Sequence, residues 1–542
     1  MSSSTLIEVF GHVVFSFTRG VTEHYNPQEP EYTVESFGYD PLKSTGREWY
    51  YHPVDELIYQ EYSDREATSL DYPASSRLHI TVIDAFSPEQ NEETQEDQQE
   101  EDRAMAWKQL RPSALRTVCK SMYIGALISL LTAIIIGSVY LLITYLSYKT
   151  KLACQFSPEG SSIPLRVQWL RTICGIISSG FIYMWYFATT LFLFRPYQLM
   201  GVKRKLFLVC FLCFFLDVLY RVALQVFGIS HSKFSLSLKS PLNIIFFLSV
   251  CGQIYLLTSY FRMRRSRRQQ VTFVIQMILP GSFCFLIGTL IATFIYPAYN
   301  KEDAEGQLLI ALFAPLSGTI VKAIARISVQ RLWNITHPGY SYALLVPLYF
   351  GSAVIFRVLQ ADLSSVESIA ILGIIHGASE VVERSAMVVI DHICHVIWKR
   401  TSAPWGSFRT PRRERLTADI AIMSMLYEST AIVAVNGFLL LYELIYLQSY
   451  SLLKLLQSFA IRTSVSLVIE WFFVSVSLAI ETRYQNMAVM AVWRRRWKRH
   501  ILVAVVNVVP LALWTSTNLI GVVHGRFRHE TIQPCKMPFT RE

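Results

Sequence analysis

From about Ser121 to Val523 the chain alternates long apolar runs with short polar connections. Eleven runs stand out, at 121–148, 167–194, 206–229, 241–260, 271–296, 308–328, 340–360, 364–396, 417–446, 452–482 and 501–523. A helix of about 20 residues crosses a hydrocarbon core of ~30 Å. In lipid, only helices and closed barrels satisfy every backbone polar group, and these runs are far too long for barrel strands. The pattern predicts an all-α polytopic membrane protein, a bundle of about 11 transmembrane helices over 121–523. The eighth, ninth and tenth runs exceed what a bilayer needs, so they tilt, break or extend beyond it.

The flanks differ from this body. Residues 1–90 form an acidic N-terminal region in which 7–17 and 77–86 carry strand-like patterns, within either a small folded domain or a loosely ordered arm. Residues 91–120 combine an acidic linker with a basic juxtamembrane helix containing Trp107, Lys108, Arg111, Arg116 and Lys120. Residues 524–542 form a short tail. The N-terminal 20 residues lack a basic leader region and are interrupted by Glu8 and His12, unlike a cleaved signal peptide.

Charge is divided in the same way. Residues 1–102 carry 22 acidic and 5 Lys or Arg residues, whereas 103–542 carry 18 and 45. The basic excess sits in loops and reads as a topology signal that meets the anionic lipid headgroups of the bilayer, not as a nucleic-acid surface. With the N-terminus cytosolic, the inner connections hold 22 basic residues and the outer ones 5. That bias places the N-terminus in the cytosol and the C-terminus on the extracellular or lumenal side. The sequon at Asn334 falls inside and is expected to stay unmodified. Cys154 and Cys535 alone among the cysteines fall outside, where they could bridge or remain free thiols. The Cys210–Cys213 spacing lies within an apolar run and reads as small apolar filler.

Ionisable residues inside the bilayer are costly and point to function. The eighth run is densest, with His376, Glu380, Glu383 and Arg384, followed by Asp391, His392, Cys394 and His395. His376, Glu380 and Arg384 share one helix face, and Glu380 can pair with Arg384. Other candidates are Asp217 with Arg221, Lys322 and Arg326, Glu428, and Arg462 with Glu470. Glu428 and Arg462 can cancel between helices. Lys322 and Arg326 lack a partner on their own helix and call for an acidic group elsewhere or an anionic ligand. The alternative to a substrate or ion pathway is that these pairs are interhelical glue. A metal site lacks a ligand signature, since His376 and Glu380 do not form an H-E-x-x-H motif. Pro280–Gly281, Pro315 with Gly318, Pro347 with Gly351, Gly377 and Pro510 mark places where helices could break.

No phosphate-binding loop, selectivity-filter motif or regular Arg series appears, and no cofactor is implied. The outer loops are too short for a soluble catalytic domain, so an enzyme is not expected. The expectation is a secondary transporter or permease for a small solute or ion. The alternatives are a channel subunit, or a receptor or scaffold whose acidic N-terminal arm binds a cytosolic partner. Substrate, oligomeric state and host membrane are not encoded legibly.

Overall fold

The computed structural model describes residues 114–156, 163–194, 199, 201–228, 240–260, 267–330, 332, 340–361, 366–399, 411–447, 451–483, 485, 487, 489–527, 532–533, 535 and 537–539. The N-terminal strand-like segments, the acidic linker and the Asn334 sequon lie outside these residues.

The first helix, α1, runs without a stop through Ala114–Ala126, a wider π turn at Leu127–Leu131, and Thr132–Lys149. It is followed by α2 (Leu165–Leu193), α3 (Lys203–Val226) and α4 (Ser240–Tyr260). Helix α5 (Arg267–Leu290) continues through a π turn at Ile291–Ile295 into Tyr296–Tyr299. Then come α6 (Ala304–Gln330), α7 (Val346–Ala361, after a 3-10 turn at Ser341–Leu344) and α8 (Val366–Lys399). The last three are α9 (Pro411–Tyr446), α10 (Leu452–Arg483) and α11 (Val489–Arg526). Among the described residues there is no strand, only an isolated antiparallel bridge between Leu447 and Ile532.

Nine of these helices, all but α7 and α8, are long and apolar enough to cross a membrane. Among the described residues, length and composition thus support nine crossings and do not confirm the expected count of about eleven. Helix α7 has 16 residues, about 24 Å, short of the ~30 Å core. Helix α8 has 34 residues but carries Glu367, Glu380, Glu383, Arg384, Asp391 and Lys399. Two boundaries also move. The described part of the expected juxtamembrane helix, including Arg116 and Lys120, belongs to α1 itself. The basic stretch expected as a loop at 483–500 is helical from Val489 onward. The candidate breakers do not break their helices. Pro280, Pro315 and Pro510 lie inside continuous α5, α6 and α11, Gly377 lies inside α8, and Pro347 sits at the start of α7. In a bundle, neighbouring groups and local π adjustment absorb the lost hydrogen bond.

Helix packing forms a circuit in which α1, α11, α2, α3, α4, α5, α6, α8 and α10 follow one another and close on α1. Helices α7 and α9 lie within it: α7 packs on α9, α5, α6 and α11, and α9 on α1, α7, α10 and α11. Burial follows this order. Only 17% of the apolar window of α3 is buried against 67% for α9, and every residue of α7 is buried. The outer face of α3 shows Phe207, Leu208, Phe211, Leu212, Phe215, Leu216 and Leu219 to the surroundings. A soluble monomer rarely exposes so continuous an apolar face.

Small residues set the closest crossings. A Cβ on Gly137 of α1 would collide with Val433 of α9, and one on Gly437 of α9 would collide with Leu141 of α1. A disulfide joins Cys154, after α1, to Cys535 in the C-terminal tail, across 381 residues of sequence. Beside it Phe156 stacks on His524, ring centroids 3.7 Å apart, and the Tyr446 hydroxyl donates to the Leu152 carbonyl at 2.9 Å.

Gly437→Val is expected to lower stability by about 1–3 kcal/mol, because the α1–α9 contact has no room for an added isopropyl group. Thermal unfolding of the detergent-purified protein measures it; an unchanged midpoint would mean that the helices can separate there without cost.

Candidate functional site

Helix periodicity places the charges of α8 on a face turned toward α6, α9 and α10. On its flank α8 lies tight against α10, where a Cβ on Gly377 would strike the Phe473 ring. Toward α9 the contact is made by polar side chains instead. Ser424 Oγ of α9 donates to Glu380 Oε1 at 3.5 Å, and His376 Nε2 stands 3.7 Å from Glu428 Oε2.

Glu428 is the hub. It is 4% exposed and accepts from Lys322 Nζ of α6 at 3.2 Å. The Lys322 ammonium also lies 5.1 Å from the centre of the Tyr349 ring of α7, in cation–π range. Arg357 of α7 binds Glu470 of α10 at 2.8 Å and stands 4.0 Å from the second oxygen of Glu428. One turn away it donates to Gln360 Oε1 at 3.1 Å. Lys322 and Arg326 thus find acidic partners on other helices. Arg326 meets Asp391 of α8 at 2.7 Å, and Gln330 donates to the other oxygen of Asp391 at 2.5 Å. Asp391 is therefore held inside the bundle; the His395 side chain lies outside the described ones.

Two expected pairings are corrected. Arg384 does not pair with Glu380 on its own helix. It is 2% exposed and grips Glu481 of α10, with one terminal nitrogen 2.7 Å from both carboxylate oxygens. The guanidinium fork matches a carboxylate that faces it from across the interface better than one a turn away on the same helix. Arg462 does not meet Glu428. It donates at 3.3 Å to the carbonyl of Ala361, the last residue of α7. Arg462 lies ten residues after the start of α10, so the short α7 ends within the bundle with a cation at its C-terminus. Such an end leaves carbonyls without helical partners and carries partial negative charge, and a guanidinium answers both.

Asp217 stands apart. It is 1% exposed, binds Arg221 at 2.8 Å, accepts from Ser179 of α2 at 2.6 Å, and ties α2 to α3 away from the cluster. Sequence reasoning missed a second pairing of this kind, in which Asp419 of α9 meets Arg499 and His500 of α11, each at 3.0 Å. It also missed Arg357 and Glu481. A lone Arg in the seventh apolar run was the available signal for the first.

The cluster therefore holds closed pairs and open groups. Glu383 accepts from Thr319 at 3.1 Å and Glu380 from Ser424; among the described residues neither has a cation within 4.0 Å. Among the described residues, Glu428 Oε2, Glu470 Oε1, Arg357 Nε and Gln360 Nε2 are buried and lack hydrogen-bond partners. The contacts of 3.7 and 4.0 Å at Glu428 Oε2 are longer than a direct hydrogen bond.

Removing one member of the closed Arg384–Glu481 pair is expected to cost about 3–5 kcal/mol, because the other charge stays buried without compensation. Arg384→Met and Glu481→Gln should each lower the unfolding midpoint sharply, and the double substitution should recover part of the loss. Strict additivity would mean the two do not interact. Comparison with known proteins yields no matching family model, no matching curated protein and no matching solved structure.

Proposed function

We propose that the protein is a multi-pass integral membrane protein that works as a secondary transporter or permease for a small solute or ion. The path in this reading runs along the seam between α8 and α9, bounded by α6 and α10. The observation that carries it is the meeting of Lys322, Arg357, His376, Glu380, Glu428 and Glu470, from five helices, with several buried polar atoms left open. Interhelical glue alone would close its charges, as Asp217–Arg221 does, whereas among the described residues Glu380 and Glu383 meet no cation within 4.0 Å. A helix that ends inside the bundle, as α7 does at Ala361, is a second feature that transporters use to place backbone groups beside a substrate. In this reading α7 and α8 are membrane-embedded alongside the nine longer helices.

Two independent features support one orientation. The basic connections gather at the end where α8 finishes and α9 begins, which favours the cytosolic side. The Cys154–Cys535 bridge lies at the opposite end, and disulfides persist in oxidising compartments.

The full chain reconstituted in liposomes on a solid-supported membrane tests the function. Concentration jumps would be made with protons, alkali cations, organic cations and amino acids in turn. A saturable transient current is expected with at least one class, and Lys322→Gln should abolish it. Currents no larger than those of empty liposomes for every class would refute the transport reading.

A further inference from the structure

The charges around the α8–α9 seam do not balance, and the imbalance has a sign. From α6 come Lys322 and Arg326, and from α7 Arg357; α8 adds His376, Glu380, Glu383, Arg384 and Asp391. Glu428 comes from α9, and Glu470 and Glu481 from α10. Four salt bridges consume Lys322, Arg326, Arg357 and Arg384 against Glu428, Asp391, Glu470 and Glu481. Glu380 and Glu383 are left over. With Arg462 counted as well and His376 neutral, one negative charge is uncompensated. The neighbouring Asp419 is balanced separately by Arg499.

An uncompensated charge in such a setting is too costly to leave bare. The open atoms show what would relieve it. Glu428 Oε2 and Glu470 Oε1 are buried acceptors without donors, on the two helices that face Glu380. His376, one turn before Glu380 on α8, bridges the space toward Glu428 Oε2. Glu380, Glu428 and Glu470, on three helices, thus offer acceptor oxygens, and among the described residues no Lys or Arg lies within 4.0 Å of Glu380.

Resting on the transporter reading, we infer that this seam binds one exchangeable monovalent cation, a proton or an alkali ion, at Glu380 with Glu428 and His376 beside it. The bound charge brings the cluster to neutrality, so its arrival and departure are coupled to whatever else the seam admits.

Binding is measured on the detergent-purified full chain, without transport. Two arms distinguish the sources. In the first, difference infrared spectra between acid and alkaline buffer report a protonated carboxyl stretch. In the second, the unfolding midpoint is followed against Na⁺, K⁺ or Li⁺, with choline holding ionic strength constant. A proton site gives a titrating carboxyl band that Glu380→Gln removes. An alkali-ion site gives a saturable midpoint rise, following occupancy of the folded state, that the same substitution abolishes. Glu367→Gln, at the exposed start of α8, should leave either response intact. If Glu380→Gln does not fold, His376→Gln probes the same seam. Neither response in the wild-type protein, or a response unchanged in both variants, overturns the inference. Binding without any current in the liposome experiment would leave the inference standing and refute transport instead.

Discussion

Charge inside an apolar bundle must be answered by charge, and that requirement organises this molecule. Moving one ion out of water costs several kcal/mol even after relaxation, comparable with the net stability of a whole domain. Five of the buried pairs join two helices each and so name a neighbour. Lys322–Glu428 fixes α6 beside α9, Arg326–Asp391 fixes α6 beside α8, and Arg357–Glu470 ties α7 to α10. Arg384–Glu481 ties α8 to α10, and Arg499–Asp419 ties α9 to α11. Apolar packing between helices is weakly directional in lipid, because lipid tails are as apolar as leucine. The ion pairs add the specificity that packing lacks, and the glycine contacts of Gly137, Gly437 and Gly377 set how closely the helices approach.

The apolar runs made the helices legible, because length and hydropathy are local properties. Charge placement was legible only as far as it was local. The i, i+4 spacing of Asp217 and Arg221 reads correctly, since both lie on α3 and Ser179 merely joins them. The same spacing in Glu380 and Arg384 misleads, because a facing Glu481 offers both oxygens to one guanidinium. No spacing rule reveals a partner 97 residues away in sequence. Arg357 was overlooked for a related reason. It is the one charge in an apolar run, and its meaning appears only when Glu470 and Glu428 are brought to it.

Proline and glycine proved poor markers of discontinuity. Pro280, Pro315 and Pro510 are carried through by the surrounding helices, whereas α7 stops at Ala361 without either residue at its end. What ends a helix inside a bundle is whether its last carbonyls can be satisfied there. Arg462 of α10 donates to one of them, the Ala361 carbonyl, from about a hundred positions away in sequence.

Helix α8 shows why closed and open charges coexist. Its closed pairs lie toward the two helices that flank it, with Arg384 to α10 and Asp391 to α6. Its open groups, Glu380 and His376, face α9, where they meet Ser424 and Glu428. The flanking clamps use carboxylates other than Glu380 and Glu428, so in this reading α8 stays tied to α6 and α10 while a cation enters or leaves. Lys322 belongs to both sets. It closes on one oxygen of Glu428, whose other oxygen faces His376 across the seam. A change of charge at the seam therefore meets the same carboxylate that holds α6 to α9, which gives occupancy of the seam a physical route to the spacing between those helices.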